Sequence, residues 1–265
     1  MKYVREIKYC LVLLTLFTVE SCRAESPQLA AVFEKFQKEG TIVISSLKDG
    51  KTYSHNDQRA NQRLSPASTF KIVNSLIALE EGVVIDENSV IPWDGVKREF
   101  ESWNKDQTLE SAFKSSCLWA YQRMAQKIGT KKYRRYLTRI NYGNKMPEPE
   151  LTTFWLAGDG LKISAVEQIE ILRNIYRRTY GFSDRAYDIL RKIMLVEKTQ
   201  DYRLYVKTGA ATKNWVGHGW YVGYIETNEN TWFFATDIKI DGFDDLALRK
   251  KVTLACLEVV LGKSL

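Results

Sequence analysis

The sequence predicts an α+β fold. One antiparallel sheet is built from both ends of the chain, terminal helices flank it, and a helical lobe is inserted in the middle. Three observations predict this. A β-rich run at residues 41–47 turns through Asp49-Gly50 into residues 51–55, a hairpin signal. Residues 219–226 and 231–240 are joined only by Asn228-Glu229-Asn230, so no crossover helix separates them and they pair antiparallel. Between the two β regions lies a long, mainly helical stretch. The 265 residues are 45% hydrophobic and 27% charged, a globular balance that excludes disordered and fibrous classes and supports a sizeable core.

The elements follow in order. Lys2, Arg5 and Lys8 precede an apolar run of ten residues, Cys10 to Val19. The run is short for a membrane span and suits the core of a secretory signal, with cleavage near Ala24 at the small-x-small step Cys22-Arg23-Ala24. The expected division is a signal peptide at 1–24 and one catalytic domain at 25–265. Within that domain an α/β lobe takes about 25–64 and 158–265, and a helical lobe about 65–157. Residues 27–38 put Leu29, Val32, Phe33 and Phe36 on one helical face, with Gly40 as the stop. Pro66-Ala67-Ser68 opens a helix through Phe70, Ile72, Val73, Leu76 and Leu79 that Gly82 ends. Residues 117–128 and 130–140 read as further short helices. Ser164 to Glu167 is a capping box for a helix to about Tyr180, and Ser183 caps the next. Residues 202–207 form the first strand of the C-terminal set. A last amphipathic helix runs from about Asp244 to Leu261.

Net charge is +7, but the basic residues are spread in pairs on helical segments (Lys131-Lys132, Arg134-Arg135, Arg177-Arg178, Lys250-Lys251), which reads as solvated faces and not a nucleic-acid surface. Only His55 and His218 are present. That scarcity excludes His-rich metal sites and weakens a Ser-His-Asp arrangement. His218 reads as a loop or strand-edge residue. The four cysteines lack CxxC spacing, and after cleavage Cys117 and Cys256 remain in apolar helical contexts, free or as one disulfide.

Two short motifs carry chemistry. In Ser68-Thr69-Phe70-Lys71 the hydroxyl and amine share a helix face, and the helix start adds free N–H donors. A lysine activates a serine only when neutral, which burial among Phe70, Ile72 and Val73 would favour. Lys207-Thr208-Gly209 stands at the end of a strand candidate, where a lysine can steer an anionic substrate and a glycine lets it approach the backbone. Either motif alone also fits an ordinary helix start or strand end. Together, SxxK and a KTG roughly 140 residues downstream match the penicillin-recognising serine enzymes.

With Tyr142-Gly143-Asn144, Pro92-Trp93-Asp94-Gly95, Trp103-Asn104, Phe154-Trp155-Leu156 and Leu248-Arg249-Lys250 added, nearly the whole mature chain resembles a class D, oxacillinase-type, serine β-lactamase. The resemblance implies that Ser68 attacks the β-lactam carbonyl. Lys71 is N-carboxylated by CO2 or bicarbonate and acts as general base, with Trp155 holding the carbamate and no metal involved. Ser116 relays the proton to the leaving nitrogen, and Lys207 supports that relay electrostatically. Thr208 and Arg249 bind the substrate carboxylate, and the N–H groups of Ser68 and Ala210, beside Gly209, form the oxyanion hole. Tyr142 and Asn144 belong to the pocket, or to a turn that supports its wall. The family's Ser-x-Val element stands here as Ser116-Cys117-Leu118, so Leu118 reshapes the apolar wall and bears on deacylation. The implied protein is exported, periplasmic or secreted, and confers β-lactam resistance. It acts on small-molecule β-lactams, without nucleic acid or membrane in the mature state, as monomer or homodimer. A slowly deacylating β-lactam sensor module and a penicillin-binding peptidase are the alternatives.

Overall fold

A computed structural model describes residues 23–156 and 158–265. The signal segment expected at 1–24 therefore lies outside the described residues, apart from its last two positions. In chain order the elements are β1 (Arg23–Glu25), α1 (Pro27–Lys35), β2 (Gly40–Ser46), β3 (Thr52–His55), α2 (Asp57–Asn61), a 3-10 turn (Ala67–Phe70) running into α3 (Lys71–Glu80), β4 (Val90–Ile91), β5 (Gln107–Thr108), α4 (Leu109–Lys114), α5 (Leu118–Ile128) and α6 (Thr130–Arg139). Then come α7 (Ala165–Tyr176), α8 (Asp184–Met194), β6 (Leu195–Lys198), β7 (Tyr202–Lys213), β8 (Val216–Thr227), β9 (Thr231–Ile240) and α9 (Asp245–Leu261).

The main sheet has the order β1-β3-β2-β9-β8-β7-β6. The two ends of the chain meet where β2 pairs antiparallel with β9, Val43 opposite Ala235. Period-two alternation then sorts side chains onto two faces. Ile42, Ile44, Phe234 and Ile238 join Leu29 and Phe33 of α1 and Cys256 and Leu257 of α9 in one cluster. Val43, Phe233 and Ala235 face the other way, onto α7 and the helices that carry Phe70, Leu76 and Tyr121. The fold is α+β, as the sequence predicts, with terminal helices on one face and the central helices on the other.

Several expectations need correction. The sheet is not wholly antiparallel, because β1 adds parallel to β3. Gly40 does not stop α1, which ends at Lys35; it opens β2, where a Cβ would lie 2.6 Å from the Asp237 carbonyl oxygen. The helix after Ser164 stops at Tyr176, short of Tyr180, and Arg178 turns back with φ +58°. Lys207-Thr208-Gly209 sits in the middle of β7, not at a strand end: residues 210–213 pair with 216–219, and the hairpin turns at Asn214-Trp215. Small and polar residues there carry little β signal of their own, and cross-strand pairing holds them extended. The capping boxes at Ser164 and the cap at Ser183 form as read. Cys117 and Cys256 are free, buried in separate clusters.

His218 is in β8, not a loop. Its Nδ1 lies 2.7 Å from a carboxylate oxygen of Asp237, which is fully buried. Arg59 of α2 donates to the other oxygen at 3.0 and 2.6 Å. This cluster ties α2 to the sheet just ahead of the 3-10 turn. Asp237→Ala leaves a largely buried guanidinium with only the exposed Glu39 carboxylate, 3.6 Å away, as its partner. The variant is expected to lose about 3 kcal/mol of stability at pH 7, read as a lower urea midpoint, with Asp237→Asn losing less.

Candidate active site

Ser68 and Lys71 are brought together by a 3-10 turn, not by a regular α-helix. Three residues per turn place i and i+3 almost directly above one another. Lys71 Nζ donates to Ser68 Oγ at 2.8 Å. Ala67, just before the serine, has φ +47°. The turn is held from several sides. Thr69 Oγ1 donates to the Pro66 carbonyl at 2.7 Å, and Gln168 of α7 donates to Thr69 Oγ1 at 2.9 Å. Trp220 of β8 donates its indole N–H to the Ser65 carbonyl at 2.8 Å.

The lysine is 1% exposed, while Ser68 is half-buried and reachable. Among the described residues no carboxylate lies within ion-pair distance of Lys71. Its nitrogen stands 5.0 Å from the centre of the Tyr121 ring. Burial of the cation pushes its pKa down from the usual 10.5 to about 7. The amine can therefore act as a base near neutral pH.

The second motif reaches the same place along β7, which lies across the 3-10 turn. At Gly209 a Cβ would be 2.9 Å from the Pro66 carbonyl oxygen and 3.0 Å from Thr69 Cγ2, so only glycine allows the close approach. Lys207, 3% exposed, donates to Ser116 Oγ at 2.5 Å and to the Thr208 carbonyl at 3.1 Å. Burial, then the cations of Lys71 and Arg249, hold its pKa well below the ordinary lysine value. Arg249 reaches up from α9 and donates to the Gly209 carbonyl at 2.6 Å. Burial pushes it down to about 10. Gly219 makes the room, since a Cβ there would sit 2.7 Å from Arg249 Cδ. Thr208 is half-buried and Ala210 exposed. A cavity of about 440 Å³ opens beside Lys207 and Thr208 over Phe113, Val206 and Tyr221. A groove of about 490 Å³ between residues 83–92 and α5 is lined by none of Ser68, Lys71, Ser116, Lys207 and Thr208, and touches the motif segments only at Pro92.

Trp155 is fully buried, with its ring centre 5.9 Å from that of Phe70. Its indole N–H has no acceptor among the described residues. Such a donor is costly to bury unmet.

Tyr142-Gly143-Asn144 divides its work. Tyr142 packs edge-on against Phe70. Gly143, at φ +48°, would drive a Cβ to 1.9 Å from the Lys162 carbonyl oxygen. Asn144 donates to the Gly160 carbonyl at 2.8 Å and accepts from Lys162 N–H at 2.9 Å. The motif thus braces the segment 154–163 that carries Trp155, the supporting role that the sequence leaves open. Leu118 opens α5 two residues after Ser116 and is half-buried. The sequence reading missed Gln168, Trp220, Tyr121 and Gly219, which support the site from distant elements and carry no local motif.

Comparison with known proteins follows this geometry. The penicillin binding protein transpeptidase domain profile matches residues 38–258. The chain is 39% identical to β-lactamase OXA-48 of Klebsiella pneumoniae over 88% of both chains. It is 40% identical to β-lactamase OXA-20 of Pseudomonas aeruginosa, over 94% of this chain and 93% of that one. The solved class D β-lactamase of Sebaldella termitidis superposes with a TM-score of 0.85 at 40% identity, covering 91% of this chain and 99% of its own.

The Lys71 amine gives a direct test. With lysine side chains labelled at Cε and CO2 excluded, the resonances of Lys71 and Lys207 are both expected to titrate below the ordinary lysine range, and the one lost in Lys71→Ala to have a midpoint of about 7, charged below and neutral above. A set of lysines that all titrate near 10.5 would remove the neutral base.

Proposed function

The chain belongs to the class D β-lactamases, hydrolases of the β-lactam amide bond, and from that premise we propose how its residues divide the reaction. The observation that carries the reading is the dry lysine: an amine 2.8 Å from Ser68 Oγ, with no carboxylate partner among the described residues and a pKa about 7. Neutral Lys71 takes the hydroxyl proton as Ser68 Oγ attacks the lactam carbonyl. The N–H groups of Ser68 and Ala210 receive the developing oxyanion, a contribution of about 3 kcal/mol per donor. Ser116 passes its proton to the leaving nitrogen as the C–N bond breaks, and Lys207, already bonded to Ser116 Oγ, replaces it. Thr208 and Arg249 bind the substrate carboxylate. The charges suit this task, because Lys207 and Arg249 converge in one low-dielectric site, and an anion relieves their mutual repulsion.

The residues also fit N-carboxylation of Lys71. Carbon dioxide adds only to a neutral amine in a sheltered place, and the unmet Trp155 N–H supplies a donor for the resulting oxygens. Once formed, the group supplies an anionic base for acylation and for activating the hydrolytic water. Phe70, Tyr142, Phe154 and Trp155 keep bulk water from the site.

Leu118 favours a second reading. Its larger side chain on the wall beside Ser116 narrows the water path to Lys71 and slows deacylation, toward the behaviour of a β-lactam sensor. A penicillin-binding peptidase would be revealed by cleavage of a D-Ala-D-Ala peptide. The basic and apolar N-terminal segment supports export to the periplasm or exterior, where hydrolysis confers resistance, and the protein works as a monomer or homodimer.

Turnover of a penicillin, with and without bicarbonate, tests the assignment. A burst of acyl-enzyme and a bicarbonate-enhanced steady state are expected. Trp155→Phe should abolish the enhancement and leave a Ser68 adduct that persists for hours by mass spectrometry. No hydrolysis of any penicillin in bicarbonate would remove the mechanism, and a persistent adduct on the unaltered protein would favour the sensor.

A further inference from the structure

Ser116 occupies an unusual place. It is the link between α4 and α5 and has φ +55°, the left-handed region that a non-glycine side chain disfavours. Its N–H bonds to the Phe113 carbonyl at 3.2 Å, and the next N–H, of Cys117, to Ala112 at 2.9 Å. These two bonds close the end of α4. The first of them also holds the N–H side of the peptide plane between Ser115 and Ser116, whose rotation sets φ of Ser116 and hence the direction of Oγ, and leaves the carbonyl side to be held from elsewhere.

Two indoles hold that plane. Trp103 donates its ring N–H to the Ser115 carbonyl at 3.0 Å. The carbonyl of Trp103 in turn accepts the ring N–H of Trp119 at 2.9 Å. Trp119 lies in the first turn of α5, three residues after Ser116, and is 4% exposed. The guanidinium groups of Arg98 and Arg123 lie 5.5 and 5.7 Å from its ring centre. Arg98 is anchored by Asp94 at 2.9 and 2.6 Å, and its backbone is clasped by the Asn104 side chain at 2.7 and 3.0 Å. Arg123 bonds to the Pro92 carbonyl. Residues 92–104 thus form a strap, fastened before Ser116 by one indole and after it by the other.

We propose that Trp119, acting through Trp103, is a positioning residue that holds the Ser115–Ser116 peptide so that Ser116 Oγ lies between Lys207 and the leaving nitrogen. The proposal rests on the relay role given to Ser116 above. It assigns work to Pro92-Trp93-Asp94-Gly95 and Trp103-Asn104, which the mechanism otherwise leaves idle. The strap should affect bond cleavage, where Ser116 delivers a proton, and not deacylation, where Lys71 activates water.

The test measures single-turnover acylation by a penicillin, and deacylation separately, in Trp119→Phe and Trp103→Phe. Both retain an aromatic ring while losing the donor and the second ring of the indole. Each is made in the unaltered full-length protein and in Ser116→Ala. The expected result is an acylation rate lower by about tenfold, with deacylation changed less than about twofold, and almost no further loss in the Ser116→Ala background. Equal losses in both backgrounds, an unchanged acylation rate, or a matching loss in deacylation would overturn the proposal. If Ser116→Ala alone acylates at the full rate, the relay itself fails and takes the proposal with it, a failure visible before any tryptophan is changed. Should one variant fold poorly by its thermal midpoint, the other decides.

Discussion

The structure depends on keeping one amine out of water. A lysine charged at its ordinary pKa would neither accept the Ser68 proton nor react with carbon dioxide, and desolvation is what lowers it. Every element around it serves that end. At the first turn of α3 it is 1% exposed, Tyr121 flanks it, and among the described residues no carboxylate restores its charge. The cost is a cation-forming group in the core, which the fold tolerates because the nitrogen keeps a hydrogen bond to Ser68.

The same constraint explains the glycines and turns at the site. A dry pocket requires backbone segments to approach more closely than side chains allow, and Gly209 against Pro66, Gly143 against Lys162 and Gly219 against Arg249 are the contacts where this happens. Strain collects beside the reacting groups for the same reason. Ala67 and Ser116 both take left-handed backbone angles; the carbonyl before Ser116 accepts the Trp103 indole N–H, and the Ser65 carbonyl, two residues before Ala67, accepts that of Trp220. Such positions persist only where the surroundings over-determine them. The supports are indole and amide side chains on α7, β8 and the 92–104 strap, so the site is rigid because it is cross-braced.

Much of the fold was legible because local chemistry decides local structure. The capping boxes at Ser164 and the cap at Ser183 place α7 and α8, the short turn at Asn228-Glu229-Asn230 forces β8 and β9 to be antiparallel, and the apolar spacing after Pro66 marks α3. The errors fall where another segment decides. Residues 210–213 are extended because β8 pairs with them, Gly40 begins a strand because Asp237 lies beside it, and His218, read as a loop or strand-edge residue, stands inside the sheet because β7 and β9 pair on either side of it.

The sequence alone determined which chemistry was available: a hydroxyl and an amine three residues apart, a second lysine on an extended segment with a glycine after it, and an indole far along the chain. Those facts reside in residue type and spacing. Only the tertiary structure decided that the first amine is dry, that Ser116 meets Lys207 across 91 positions of chain, and that the Trp155 N–H meets no acceptor among the described residues. Burial is a sum over segments distant in sequence, and no periodicity within one element records which neighbours will close over it.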